Sequence, residues 1–289
     1  MDVDTLTSAV VPLSKGAEWF EKLRSGFMKV IVEPERKLLM NLGPETFEGR
    51  VVLVTGTASG IGLATVAMLL DAGARVHAAD FRAPLVKERL GAERLASGRV
   101  SVHQLDVTDP DAVEETIGRI GEEAPIDALV CCAGTNVPNR RMEQLTDANW
   151  RLLLETNLTG VFSCLRAAMP QLRRTRGHVV VVSSVSALWP DVSGPAYQAS
   201  KAGVLALVRG AAVEEHEQGV RFTSILPAMV ATELMDKRPE PPSPEVREKS
   251  LQPEDVAATI VFSLSLPARA CVAELTLVPN ELQVLGRTY

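Results

Sequence analysis

The stretch RVVLVTGTASGIG, residues 50–62, decides the fold. Its first half is an unbroken aliphatic run, Val51 to Val54, which suits a strand buried on both faces. Three glycines follow, Gly56, Gly60 and Gly62, and then an apolar segment of helical length. Glycine at those places permits a tight turn, close backbone approach to a phosphate, and contact of helix with sheet. A helix starting there offers free N–H groups and the positive end of its dipole to an anion. Strand, glycine-rich turn and helix in that order predict a dinucleotide site lined by Gly56, Ser59, Gly60, Ile61 and Gly62.

Outward from this stretch the same alternation persists. Apolar β-rich runs occur at 74–80, 99–106, 127–134, 177–184, 220–227 and 271–278, with helix-length segments between them. Continuous apolar strands separated by helices predict an α/β, Rossmann-like, doubly wound domain: a seven-stranded parallel sheet with helices on both faces, residues 50–289. The Pro-rich tract KRPEPPSPE, 237–245, reads as a mobile loop. Residues 1–49 stand apart as an N-terminal extension. Trp19, Phe20, Leu23, Phe27 and Ile31 share one face of an amphipathic helix there. That face is too apolar to leave exposed, so the extension is expected to pack on a neighbouring subunit or over the substrate mouth.

Bulk properties exclude several classes. Net charge is −6 with no long run of Lys and Arg, which argues against a nucleic-acid partner. No apolar run is long enough to span a bilayer and no signal-peptide core is present, so a cytoplasmic protein is expected. Cys131, Cys132, Cys164 and Cys271 lack a metal-type spacing and read as reduced thiols. His77, His103, His178 and His216 are scattered, so no metal site is expected.

The second strand ends at Asp80, where a carboxylate can accept both hydrogen bonds of an adenosine ribose diol and repel a 2′-phosphate. NAD is therefore expected as cofactor in preference to NADP; Arg82, two residues on, is the complicating cation. Further along, Tyr197 and Lys201 lie four apart in GPAYQASKAG, 194–203. Such a pair can be a mere surface contact on a helix. It can also be a phenol that a neighbouring cation makes acidic.

Taken together, TGTASGIG (55–62), LDVTD (105–109), NLTG (157–160), VVSSVS (181–186) and YQASK (197–201) resemble the short-chain dehydrogenase/reductase family. The motifs occur in the family's order over about residues 50–278, and the glycine spacing is similar to its shorter, single-domain branch. The resemblance implies a nicotinamide cofactor and interconversion of alcohol and carbonyl. It makes Tyr197 the general acid/base, Lys201 its activator and Ser184, thirteen positions earlier, the holder of the substrate oxygen. Ser183 becomes a structural neighbour, and Asn157 the member that completes a proton relay. Asp106 and Val107 match the adenine-contacting pair, Ala133 and Gly134 line the cofactor, and Pro227 and Thr232 lie near the nicotinamide carboxamide. Tyr197 and Lys201 also face the cofactor, and a homodimer or homotetramer is implied.

Two departures stand out: CCAG, 131–134, replaces the family's usual NNAG, and Ala228 replaces a glycine after Pro227. A tyrosine titrates near about pH 10, so a cation one turn away and the nicotinamide's own charge are expected to lower Tyr197's pKa. The loops 135–145, 186–196 and 228–252 carry Val137, Leu188, Trp189, Val192, Met229, Leu234 and Met235. These favour a partly apolar alcohol or ketone as the small-molecule substrate, while Arg140 and Arg141 could hold an anionic group or simply be solvated. A cofactor-binding regulatory or structural protein without turnover is the alternative.

Overall fold

The computed structural model describes residues 46–282; the extension helix expected around Trp19 to Ile31 lies outside them. The opening stretch forms β1, Val51–Thr55, with all five residues buried at the middle of the sheet. It pairs in parallel with β2, Arg75–Asp80, on one side and β4, Ala128–Cys131, on the other. The remaining strands are β3 (Val100–Gln104), β5 (His178–Val182), β6 (Arg221–Pro227) and β7 (Glu274–Leu277). The sheet order is β3-β2-β1-β4-β5-β6-β7, every pairing parallel. Each strand falls within one of the seven apolar runs. Chain direction across the sheet reverses between β1 and β4, which opens a crevice at the carboxyl ends of those strands.

Eight α-helices cover the two faces among the described residues. They are α1 (Gly60–Asp71), α2 (Ala83–Ala96), α3 (Pro110–Glu123), α4 (Asp147–Leu154), α5 (Gly160–Thr175), α6 (Pro195–Glu215), α7 (Pro244–Lys249) and α8 (Pro253–Ser265). The pleat sends Val52 and Val54 to a core shared with α1 and α8, where Leu69 and Ile260 are fully buried. Leu53 and Leu129 point the other way, into a core shared with α3, α5 and α6. Cys131 and Cys132 divide likewise between the two cores, and all four cysteines are unpaired.

The first core reaches back to Phe47, which is fully buried and whose N–H donates to the Ala72 carbonyl at 2.9 Å. At the other end of the chain, the Pro-rich tract is not loop throughout. Pro244 opens α7, where its missing N–H costs nothing, and the Ser243 hydroxyl caps that turn. Among the described residues no helix is long and apolar enough to cross a membrane.

Candidate active site

Where β1 runs into α1, Gly56 has φ +74°, and a Cβ there would sit 2.5 Å from the Ala133 nitrogen. A Cβ on Gly62 would meet the Gly56 carbonyl oxygen at 2.1 Å. Only glycine fits either place, because the turn folds against its own helix and against the end of β4. Ser59 precedes α1 with extended backbone and makes no side-chain cap, so the first N–H groups of α1 remain available to an anion. Thr232 closes the other wall, close to Gly60. This helix start, with no side chain capping its first N–H groups, fits a dinucleotide's phosphates.

Asp80 is only 5% exposed and braces that turn: one carboxylate oxygen accepts from the Ala58 N–H and the other from the Arg82 N–H, both at 2.9 Å. Around it lie Arg82, whose Nη2 is 3.5 Å from the Ser59 hydroxyl, and Arg89, bonded to the Ala58 carbonyl at 2.9 Å. Glu233, from the segment after β6, pairs with both arginines, at 3.7 Å and 2.6 Å respectively. Those contacts hold its carboxyl below the usual range, the Arg89 hydrogen bond most of all. Arg89 and Glu233 escaped the sequence reading, since nothing local marks two residues so far apart as partners. Asp106 is exposed, its carboxylate accepting from Thr108 N–H and hydroxyl at 2.9 and 2.8 Å. Val107 is buried in the core, so its side chain is turned away from the crevice.

Asn157 sits in a single wide turn, Glu155–Thr159, with π-type hydrogen bonding between α4 and α5. Such bulges interrupt a helix to re-aim one side chain. Its Nδ2 donates to the Thr135 carbonyl at 3.0 Å and to the Ser200 hydroxyl at 3.1 Å, while its Oδ1 accepts from Thr135 N–H at 2.8 Å. The wholly buried amide thus ties the loop after β4 to α6.

Ser184 follows β5, and Tyr197 and Lys201 occupy successive turns of α6. The Ser184 hydroxyl accepts from the Ser186 N–H at 3.1 Å, donates to the Ser186 hydroxyl at 3.0 Å, and lines the same cavity as Tyr197. Ser183 donates to the Lys201 carbonyl at 2.9 Å, which locks β5 to α6. Lys201 Nζ donates to the Val182 carbonyl at 2.9 Å and lies 5.8 Å from the centre of the Tyr197 ring. The expected acidification of Tyr197 by Lys201 is not what this chain's own groups produce. Loss of water around the phenol pushes it up to about 12, with Asp191 adding to the rise and the nearby Ser184 hydroxyl, Arg140 and Arg238 opposing it. Lys201 is itself pushed down to about 8 by burial, and its ammonium is turned to a carbonyl.

These groups face a cavity of about 340 Å³. Ile61, Gly134, Pro227 and Thr232 meet it from the glycine-turn side; Trp189, Val192, Met229, Leu234 and Met235 form its apolar wall. Val137 instead packs with Leu153 and Ala196, and Leu188 is exposed to solvent away from the lining. Ser186, Asp191, Ser193 and Arg238 also line the cavity and were not singled out from sequence, because a loop side chain's direction has no signature in composition. Of the suspected arginine pair, Arg140 lines the cavity and Arg141 is exposed outside it.

A doubly wound sheet with a phosphate-ready glycine turn, next to a Ser–Tyr–Lys-lined cavity, defines a nicotinamide-dependent oxidoreductase class. The sequence pattern described as short chain dehydrogenase matches residues 50–242. The chain is 32% identical over 229 residues to a meso-2,3-butanediol dehydrogenase of Serratia marcescens, covering 76% of this chain and 88% of that one. It is 35% identical over 228 residues to a cis-4-hydroxycyclohexanecarboxylate dehydrogenase of Sinomonas cyclohexanicum, covering 76% and 91%. Among solved structures, it is similar to an alcohol dehydrogenase of the archaeon Thermococcus sibiricus complexed with 5-hydroxy-NADP. That likeness has a TM-score of 0.71 and 29% identity, covering 81% of this chain and 98% of that one. The protein belongs to the short-chain dehydrogenase/reductase family.

Proposed function

We propose that the protein interconverts a secondary alcohol and a ketone, with Tyr197 as the general acid/base. The observation that carries this reading is that Ser184, Tyr197 and Lys201 line one cavity together with Ile61 and Thr232 from the glycine-turn side. A bound nicotinamide supplies or accepts the hydride. Ser184 holds the substrate oxygen beside the phenol, and Tyr197 takes the proton from an alcohol or returns it to a developing alkoxide. In the protein by itself the phenol stays protonated through neutral pH, ready to donate. Lys201 holds the end of β5 against α6 through its bond to the Val182 carbonyl, and Asn157 keeps α6 and the loop after β4 in register. Gly56, Ser59, Gly60, Ile61 and Gly62 would hold the phosphates, Asp80 the adenosine ribose, and Ala133, Gly134, Pro227 and Thr232 the nicotinamide end. Asp106 and Val107 would meet the adenine with their backbone, since their side chains are engaged elsewhere.

The preferred cofactor in this reading is NAD. Arg82 and Arg89, the cations near Asp80, already share Glu233 as counter-ion, so a 2′-phosphate would face two carboxylates as well as two arginines. Four unpaired cysteines agree with a reducing, cytoplasmic setting. Exposed Trp150, Phe162 and Val213 on α4, α5 and α6 support a homodimer or homotetramer.

Replacing Tyr197 with Phe tests the chemistry. Turnover of secondary alcohols and ketones is expected to fall by about 10²–10⁴-fold, with NADH fluorescence titration unchanged. Near-normal turnover in that variant removes Tyr197 from the role. If the native protein binds dinucleotide but turns over no alcohol or ketone, a silent cofactor-binding protein replaces this reading.

A further inference from the structure

The cavity wall near Tyr197 carries more positive charge than its neighbours neutralise. Arg140 and Arg238 both line it. Arg140 is 6% exposed and spoken for: Nε donates to the Val137 carbonyl at 3.0 Å and Nη2 to the Lys237 carbonyl at 2.6 Å. The second bond anchors the peptide just before Arg238, so Arg140 acts as a strut for that segment. Arg238 is half-buried, and among the described residues its guanidinium makes no hydrogen bond or ion pair.

The only carboxylate among the described lining residues is Asp191, and its oxygens are taken. One accepts from the Ser186 hydroxyl; the other accepts from the Ser193 hydroxyl and from the Ser193 N–H at 2.8 Å. Lys201, the third cation at the cavity, points its ammonium at the Val182 carbonyl. Lys237 is turned to the Thr135 hydroxyl at 2.7 Å and is not part of the lining. Burial lowers Arg140, and the facing charge of Arg238 adds to that. Arg238 too is lowered by burial, only partly offset by Asp191 and Tyr197. A guanidinium drawn from water without a bonded counter-ion is costly, and its planar fork matches a carboxylate.

We propose that the substrate is a carboxylate-bearing alcohol or ketone, its carboxylate held by Arg238 and its carbon skeleton by Trp189, Val192, Met229 and Leu234. This rests on the oxidoreductase reading for the reacting end alone. The carboxylate remains unchanged through the reaction; the hydride and proton move at the other end, as above. A carboxylate fits better than a phosphate because one free fork supplies two donors, whereas a dianion would demand more.

Binding and turnover test it separately. With saturating dinucleotide, calorimetry compares the carboxylates propanoate through octanoate with their amides, which are neutral and nearly isosteric. The best carboxylate is expected to bind about 10- to 100-fold more tightly than its amide, the usual effect of one charged hydrogen bond. Arg238→Gln should reduce the acid to the level of the amide, Arg238→Lys should restore part of the preference, and Arg141→Gln should change nothing. Reduction of levulinate against levulinamide should show the same preference in kcat/KM. The proposal falls if no carboxylate outbinds its amide on the native protein, if the acid preference survives in Arg238→Gln, or if inorganic phosphate outcompetes every carboxylate. Acid-selective binding without turnover of any ketone would sink the oxidoreductase reading and leave the anion site standing. Ketone turnover without acid preference would do the reverse.

Discussion

At the scale of single residues, charge pairing around Asp80 is where the proposed choice between NAD and NADP would be made. Asp80 is engaged by two backbone N–H groups, so on the NAD reading proposed above it would repel a 2′-phosphate from a fixed position, and it cannot swing aside without loosening the glycine turn. Arg82 and Arg89 would attract the same phosphate, but Glu233 is already bonded to Arg89 at 2.6 Å. Neutralising Glu233 by Glu233→Gln should release both cations. The pair is largely exposed, which limits the gain to about 2- to 5-fold in affinity. Titration with adenosine 2′,5′-bisphosphate and with ADP-ribose reads this directly: only the former should tighten. Equal affinities before and after the substitution would mean that the arginines do not reach the 2′ position. Sequence alone exposed Asp80 and Arg82, through their place at the end of a strand. Glu233, some 150 residues downstream of both, had no such marker.

Elements carry the second level of control. Asn157 works because α4 and α5 are not one helix: the wide turn between them aims its amide at both Thr135 and Ser200. The apolar pattern across 147–175 reads as plain helix, since a π-type turn differs from an α turn by one residue and leaves no compositional trace. Apolar side chains stay outside on α5 and α6, Phe162 at 44% and Val213 at 73% exposure. The homo-oligomer proposed above would offset that cost by covering them with a second copy of this chain. Phe162→Asp should therefore lower the mass seen by light scattering to that of a monomer. An unchanged mass would assign the assembly to another surface.

At the scale of the whole molecule, buried histidines set the acid limit of stability. His178 has no exposed surface; burial, with Arg221 and Arg50 nearby, holds it down to about 3. His77 is held at about 4 by burial and by His103, its ring partner at 2.9 Å. Unfolding frees both to titrate near about 6.5, so below that pH the unfolded chain binds more protons than the native one. The stability these two histidines contribute is thus complete above about pH 6.5 and is lost as pH falls toward 4 and then 3. Each histidine contributes a slope of up to about 1.4 kcal/mol per pH unit. Between pH 6.5 and 5 ordinary carboxylates stay ionised in both states, so a falling Tm in that window reports the histidines. A Tm that stays flat from pH 7 to 5 would show that they are already accessible to protons.

Local pattern was enough for the architecture and for most of the residues that line the candidate site. Val51 to Gly62 announced a buried strand, a glycine turn and a helix start, because each is a short-range property of backbone sterics and of apolar periodicity. The motif around Ser184, Tyr197 and Lys201 was equally visible, since a helix brings residues four apart together on its own. Tertiary structure decided what depends on distance through space. It drew Phe47 into the core, turned Lys201 toward Val182 instead of leaving it to acidify Tyr197, and set Glu233 on Arg89. It also left Arg238 beside the cavity without a partner among the described residues, in a Pro-rich tract that reads as loop. Burial and counter-ion pairing arise only when segments far apart in the chain are packed together, so no window of sequence contains them.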